Sequence, residues 1–316
     1  MSGDPQFFSR WSWFIEWMTP SRATLKWVKR VIYQARSKFQ DIAVVEVDGE
    51  GKVLVIDGKT QSSMLDEHVY HEALVHPAML LHGEPRRVLI LGGGEGATLR
   101  EALRYKTVNE AVMVDIDEVM VEVAKKYLKE WHQGAFDDPR AKLVISDAWD
   151  YVEKALSEGE RFDVVIADLV DPEPGGPATK LYTREFYEKV KNILTSGGVF
   201  VTQATSISYT IEVHASIRKT LESVFGEGMV ASYGVYVPSF DSYWGFAIAS
   251  KGESPNVLMD RRIFEERYGK LLSGVELKFL DYDSLIHAFT LPKPYREGIR
   301  ASGRVSTLEN PITMPA

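Results

Sequence analysis

Asp168 and Asp171 stand three positions apart in the run Asp168-Leu169-Val170-Asp171-Pro172. An aliphatic amine, whose ordinary pKa is near 10.4, meets such a pair as an ammonium and must lose a proton before its nitrogen can attack carbon. One carboxylate can hold the ammonium and then take its proton as a general base, while the other gives the cation a second point of attachment. A turn with Asp171-Pro172 as its breaker would use the same residues, so the surrounding acids decide between the two.

More acids occupy comparable positions. Val88-Leu89-Ile90-Leu91 runs into Gly92-Gly93-Gly94-Glu95-Gly96-Ala97, a strand opening through a glycine turn into a helix. Glycines there permit a tight turn and close approach of backbone to a ligand. The pattern fits a dinucleotide, the nucleoside of S-adenosylmethionine-type enzymes, or close packing of strand on helix. Asp115 closes the next strand about twenty residues on, where an acid can accept hydrogen bonds from both ribose hydroxyls. Its other use is to cap a helix. Asp147, followed by Ala148, closes the third strand and can receive the exocyclic amine of adenine. Acids closing consecutive strands favour adenosine over a phosphate ligand. Glu95 lies where an S-adenosylmethionine enzyme must accommodate the methionine carboxylate, and like charges at short range repel by roughly 1 kcal/mol even in water. It therefore favours a nucleoside whose tail ends in an ammonium, a solvated surface glutamate being the plainer alternative.

Elements of an α/β fold must carry these acids to one rim. The pattern is a strand over 87–91, a helix after Gly96, a strand over 111–115, a helix from 118 to about 129 and a strand over 141–146. It continues with a helix around 151–156, a strand over 162–167, a helix over 183–194 and a strand over 198–202. Such alternation predicts a Rossmann-like, methyltransferase-type doubly wound sheet, mainly parallel and covered on both faces. A helix from about 66 into the low eighties, stopped near Gly83 and Pro85, precedes it. Before that, the runs 42–47 and 52–57 flank the turn 48–51 and predict a small N-terminal antiparallel β domain. The expected division is 1–65 for that domain and 66–316 for the Rossmann-like one. The opening segment carries Phe7, Phe8, Trp11, Trp13, Phe14 and Trp17, then Pro20 and a helical pattern through Leu25, Val28, Val31 and Ile32. Those aromatics suit a packed core or a subunit contact better than a ligand box. Beyond 251 the pattern is mixed.

Composition narrows the classes. With 316 residues and no cysteine, the chain can bury a substantial core and has no disulfides, thiolate metal sites or cysteine nucleophile. A formal charge of −8 argues against binding a nucleic-acid backbone. The basic residues from 22 to 38 alternate with apolar ones and are expected to coat a helix. No run approaches the roughly 18 apolar residues that cross a bilayer, and the N-terminus lacks a secretory pattern, so a cytoplasmic protein away from membranes is expected. His68, His71 and His76 lack a zinc spacing, so no metal is expected.

Together these residues resemble the aminopropyltransferases, the spermidine and spermine synthase family, and are most similar to its thermospermine synthases. The similarity runs over about 39–292 and is carried by Gly92-Gly93-Gly94-Glu95-Gly96, Val114-Asp115-Ile116-Asp117, Asp168-Leu169-Val170-Asp171-Pro172, Gly176-Pro177 and Lys180-Leu181-Tyr182-Thr183. The resemblance implies that decarboxylated S-adenosylmethionine, a co-substrate and not a resident cofactor, gives its aminopropyl group to a polyamine, releasing methylthioadenosine. It implies Asp168 as the catalytic acid and Asp171 as its amine-gripping companion. Gln40, Gln61, Gly92, Gly94, Glu95, Asp115, Asp147 and Ala148 fall on donor positions, with Glu95 on the ammonium. Tyr70, His71 and Phe240 fall on the acceptor side, and a homodimer or homotetramer is implied. Departures from spermidine synthases cluster on that side: Leu169 and Val170 between the acids, the longer run Pro172 to Pro177, His71 in place of glutamine, and Pro238-Ser239-Phe240 without a tyrosine hydroxyl. They imply a longer or differently oriented amine, spermidine first, giving thermospermine or spermine. Putrescine as acceptor, or methyl transfer from intact S-adenosylmethionine, are the alternatives.

Overall fold

The computed structural model describes residues 12–315; Phe7, Phe8 and Trp11 lie outside the described residues. Strands β1 (Ser12–Thr19) and β2 (Arg22–Arg36) form a hairpin around Pro20 and Ser21. With β3 (Asp41–Val47), β4 (Gly51–Ile56) and β5 (Lys59–Ser63) they make a five-stranded antiparallel sheet in sequence order. The helix expected through Leu25, Val28, Val31 and Ile32 is therefore a strand, and the basic residues of that stretch sit on it. Two register shifts, between Val28 and Arg30 and between Val31 and Tyr33, account for the misreading. Each adds a residue to the two-residue alternation and stretches it toward the spacing of a helix. Phe14 packs inward against the Val28 and Val45 cluster, whereas Trp13, Ile15, Trp17, Leu25 and Val31 leave an exposed apolar face on the hairpin.

Helix α1 (Glu67–His82) leads from this sheet into a seven-stranded one. The latter contains β6 (Arg87–Gly92), β7 (Glu110–Asp115), β8 (Ala141–Ile145), β9 (Phe162–Asp168), β10 (Leu194–Ser206), β11 (Val230–Val237) and β12 (Ser242–Ser250). Their order is β11-β12-β10-β9-β6-β7-β8, parallel from β10 to β8 and antiparallel where β12 pairs with β10 and with β11. Residues 88–91 and 164–167 are fully enclosed, as apolar strands must be in a sheet covered on both faces. Helices α2 (Ala97–Leu103), α3 (Glu118–Tyr127), α4 (Lys129–His132), α5 (Ala148–Ser157), α6 (Arg184–Ile193) and α7 (Ile211–Phe225) connect the strands. Two apolar clusters, one on each face, form its core. The chain steps from β6 outward to β8, then returns to place β9 on the other side of β6. That reversal is the switch point at which open α/β sheets leave a crevice beyond their strand ends. The antiparallel pair comes from residues whose pattern alone was not read. Helices α8 (Arg261–Leu271), α9 (Tyr282–Phe289) and α10 (Lys293–Ala301) follow, and residues 302–315 then cross α6 and α7 without helix.

Candidate active site

The site grows from the register of two neighbouring strands. Gly92 at the end of β6 pairs with Asp168 at the end of β9, and Gly93 N–H donates to the Asp168 carbonyl at 2.9 Å. A Cβ on Gly92, whose φ is +81°, would stand 2.2 Å from that carbonyl oxygen, so a side chain there would part the strands. At Gly94 a Cβ would come within 2.7 Å of Asp115 Oδ2. The two glycines hold the loop tightly against both acids.

Two adjoining cavities open over this rim, of about 980 and 1480 Å³. Gln40, Gln61, Gly92, Gly94, Glu95, Asp115, Asp147 and Ala148 all line the first, which ends at Tyr70 and Asp168. Tyr70 also lines the second, together with Asp171 and Phe240. Asp168 lines the first cavity alone and borders the second through Tyr70, Leu169 and Val170, which line both. Its Oδ1 accepts from the Tyr70 hydroxyl at 2.8 Å and its Oδ2 from the Thr98 hydroxyl at 2.5 Å. Burial and the neighbouring Asp168 carboxylate push Tyr70 well above the usual phenol range, so it remains a donor.

On the first side, desolvation pushes Asp115 up to about 6, although Asp117 N–H donates to it at 2.8 Å. Helix capping, the other use considered for Asp115, falls to Asp117, which accepts from Val119 N–H and, at Oδ2, from Gln40. Asp147 caps α5 through Trp149 N–H and pairs with Lys180 at 3.0 Å. In the second cavity, Gln203 donates to Asp171 at 3.0 Å, to the Leu169 carbonyl and to the Tyr182 hydroxyl. Desolvation still lifts Asp171 to about 6. Phe240 is set by its neighbour Ser239, whose N–H and hydroxyl donate to Asp66 and whose carbonyl accepts from Lys26. Thr98 and Gln203 are site residues that the sequence pattern did not single out.

His71 requires correction. It lines neither cavity and is enclosed behind the glycine loop, donating through Nε2 to Glu95 Oε1 at 2.6 Å and through Nδ1 to the Glu67 carbonyl and carboxylate. Successive helical residues point about 100° apart, so with Tyr70 facing the cavities His71 must face elsewhere. Desolvation opposes charge on the ring, yet Glu95 and Glu67 prevail and raise its pKa to about 10. Desolvation also lifts Glu95, while His71 draws it down. The two compete for one proton, and the second carboxylate on the ring leaves it with His71. Glu95 is thus an enclosed anion whose counter-ion is already in place. The chain of contacts continues through Glu67 to Arg100 and on to Glu101 and His76. Among the described residues no group of three or more His, Cys, Asp or Glu is arranged to hold a metal.

Carboxylates therefore dominate both cavities: Glu95, Asp115, Asp147 and Asp168 in the first, and Glu16, Asp57, Asp171 and Glu173 in the second, where Lys59 also stands. Such a cleft attracts a cation on either side of Tyr70.

Comparison with known proteins agrees with this geometry. The chain is 62% identical over 309 residues to a polyamine aminopropyltransferase of Aeropyrum pernix, covering 98% of this chain and 97% of the relative. It is 45% identical over 306 residues to a polyamine aminopropyltransferase of Sulfolobus acidocaldarius, covering 97% and 99%. A spermidine synthase solved in complex with the transition-state analogue AdoDATO superposes with a TM-score of 0.83 at 32% identity, covering 92% of this chain and 95% of that one. The spermidine synthase of Thermotoga maritima does so with a TM-score of 0.81 at 32% identity, covering 92% and 94%. Residues 12–63, the N-terminal sheet, match the spermidine synthase tetramerisation domain. Residues 67–260 match the spermine/spermidine synthase domain, and the chain belongs to the spermine/spermidine synthase family of aminopropyltransferases.

Proposed function

We propose that the first cavity takes decarboxylated S-adenosylmethionine and the second a polyamine, spermidine first, giving thermospermine or spermine with methylthioadenosine. The observation that carries this is the meeting of two acid-lined cavities at Tyr70, whose hydroxyl, with that of Thr98, orients the Asp168 carboxylate at the end of the first. Asp115 receives the ribose hydroxyls, Asp147 and Ala148 border the adenine with Gln40 and Gln61 near the nucleoside, and Glu95 faces the donor ammonium. Asp171 grips the amine. The acceptor nitrogen then attacks the carbon next to the sulfonium, and the bond from that carbon to sulfur breaks with its electron pair passing to sulfur. Before that attack Asp168 has taken a proton from the acceptor ammonium, which frees the nitrogen lone pair for the new bond. Because the sulfonium is already activated, rate enhancement comes from holding two cations in line against fixed acids.

Spermidine is favoured over putrescine by the larger second cavity and by the apolar Leu169 and Val170 between the two acids. Residues 1–65 serve assembly into a dimer or tetramer, through the exposed face of the first hairpin, and 66–316 serve catalysis. No helix of the described residues is long and apolar enough to cross a membrane. Chromatography of the product made from donor and spermidine tests the assignment. Transfer to putrescine alone would replace it with spermidine synthesis, and methylation by intact S-adenosylmethionine would replace the reaction class.

A further inference from the structure

Residues 302–315 lie beyond the matched synthase domain, yet they are pinned along their length. Arg304 N–H donates to Ser216, Ser306 N–H to Thr220, and the Ser306 carbonyl accepts from Arg184 N–H. Ser306 is fully enclosed, and its hydroxyl accepts from Ile312 N–H at 2.9 Å. Ile312 and Met314 pack on the same apolar cluster as Leu169 and Ala178. The segment finishes its course at the second cavity. There Met314 N–H donates to the Pro172 carbonyl at 2.9 Å, one residue after Asp171, and Met314 becomes part of the lining.

We infer that this strap belongs to the acceptor site and that Met314 helps to select the length of the amine. The inference rests on the second cavity being the acceptor site. A polyamine alternates ammonium groups with methylene runs and needs apolar wall between its acids. Met18, Phe240, Trp244 and Met314 supply that wall in the cavity that Asp171, Glu173 and Glu16 also line. An unbranched thioether follows the path of a flexible methylene chain, and its volume subtracts from the space left for a longer one. Its backbone bond to Pro172 also ties the loop that carries Asp171 to a segment anchored on α6 and α7.

The test compares the full chain with Met314→Phe and Met314→Ala, measuring kcat/KM for putrescine and spermidine at saturating donor, and donor KM separately. A difference of a few methylenes in such a pocket changes selectivity by roughly tenfold or more. Met314→Phe is expected to depress spermidine use relative to putrescine by that factor, and Met314→Ala to move the ratio the other way, with donor KM unchanged in both. A spermidine-to-putrescine ratio equal to that of the unmodified chain in both variants would overturn the inference. So would equal effects on donor and acceptor KM, which would make the residue merely structural. An unmodified chain that transfers to no amine at all would overturn the assignment of the cavity instead.

Discussion

Replacing His71 with alanine exposes the cost of keeping Glu95 charged in an enclosed loop. The ring is 1% exposed, with Glu95 at 2.6 Å on one nitrogen and Glu67 at 3.1 Å on the other. Desolvation notwithstanding, those carboxylates raise its pKa from 6.5 to about 10. At about 1.4 kcal/mol per pH unit, that interval is worth ~5 kcal/mol to the folded state. Removing one partner from a buried ion pair costs about 3–5 kcal/mol, in the same range. Glu67 keeps Arg100 in the variant, so most of the loss falls on Glu95. The sign follows from the folded value lying above the unfolded one. The contribution is complete below pH 6.5 and fades as pH rises through about 10, leaving roughly 3 kcal/mol at pH 8. Urea unfolding of the unmodified chain and His71→Ala at pH 6, 8 and 10 gives the difference, with Glu95→Gln and the double variant run alongside because removing the ring leaves desolvation to lift Glu95 unopposed. The gap should be largest at pH 6 and shrink toward the small packing cost by pH 10. His71→Gln, which can still donate to one carboxylate, should fall between the two. A gap independent of pH, or none at pH 6, would refute the ionic pair.

Other expectations follow from the same geometry. Asp168→Asn should cut kcat by about 10²–10⁴-fold, the usual worth of a positioned general base, while donor affinity by calorimetry stays nearly unchanged. Gly94→Ala should push Asp115 aside, since the added carbon falls 2.7 Å from its oxygen, and raise donor KM by roughly tenfold to a hundredfold without unfolding the chain. Asp171 is held near 6 by desolvation, so kcat/KM for the amine at saturating donor should decline as pH drops through about 6, and Asp171→Asn should flatten that limb. Because this folded value lies above the ordinary 3.8, ionised Asp171 is a cost to folding that is complete above about 6 and vanishes below 3.8; Asp171→Asn should accordingly raise the unfolding temperature at pH 8 while impairing turnover.

The parallel core was legible because the central strands carry short apolar runs, those of β7 and β9 closed by an acid and that of β6 by glycines, and covered parallel strands have no polar face to confuse the pattern. Asp115 and Asp168 stand out for that reason, and the structure brings them to one rim with Asp147. Residues 22–36 misled because two bulges imitate helical spacing. His71 misled because its neighbour Tyr70 does face the cavities, and one helical step decides between cleft and interior. Gln203 was silent: the end of β10 is polar, shifts register between Gln203 and Ser206, and carries Thr205 at a φ of +60°. The strap of residues 302–315 has no periodicity to read, since its hydrogen bonds reach residues such as Ser216 and Thr220 that are far away in sequence.

The pairing of Gly92 with Asp168 places the last residues of β6 and β9 side by side, locked by the Gly93 amide. A sheet register is discrete: it holds or it slips by whole residues, with no intermediate setting. The separation between the glycine loop under the first cavity and the Asp168 carboxylate is therefore inherited from the backbone ladder. Much of the second cavity's wall lies further along, from Leu169 to Ala178 and in the strap that leans on Pro172. Lineages can thus rewrite the choice of amine while the reacting distance stays as the ladder set it, and a family built this way diversifies its products without having to rediscover its chemistry.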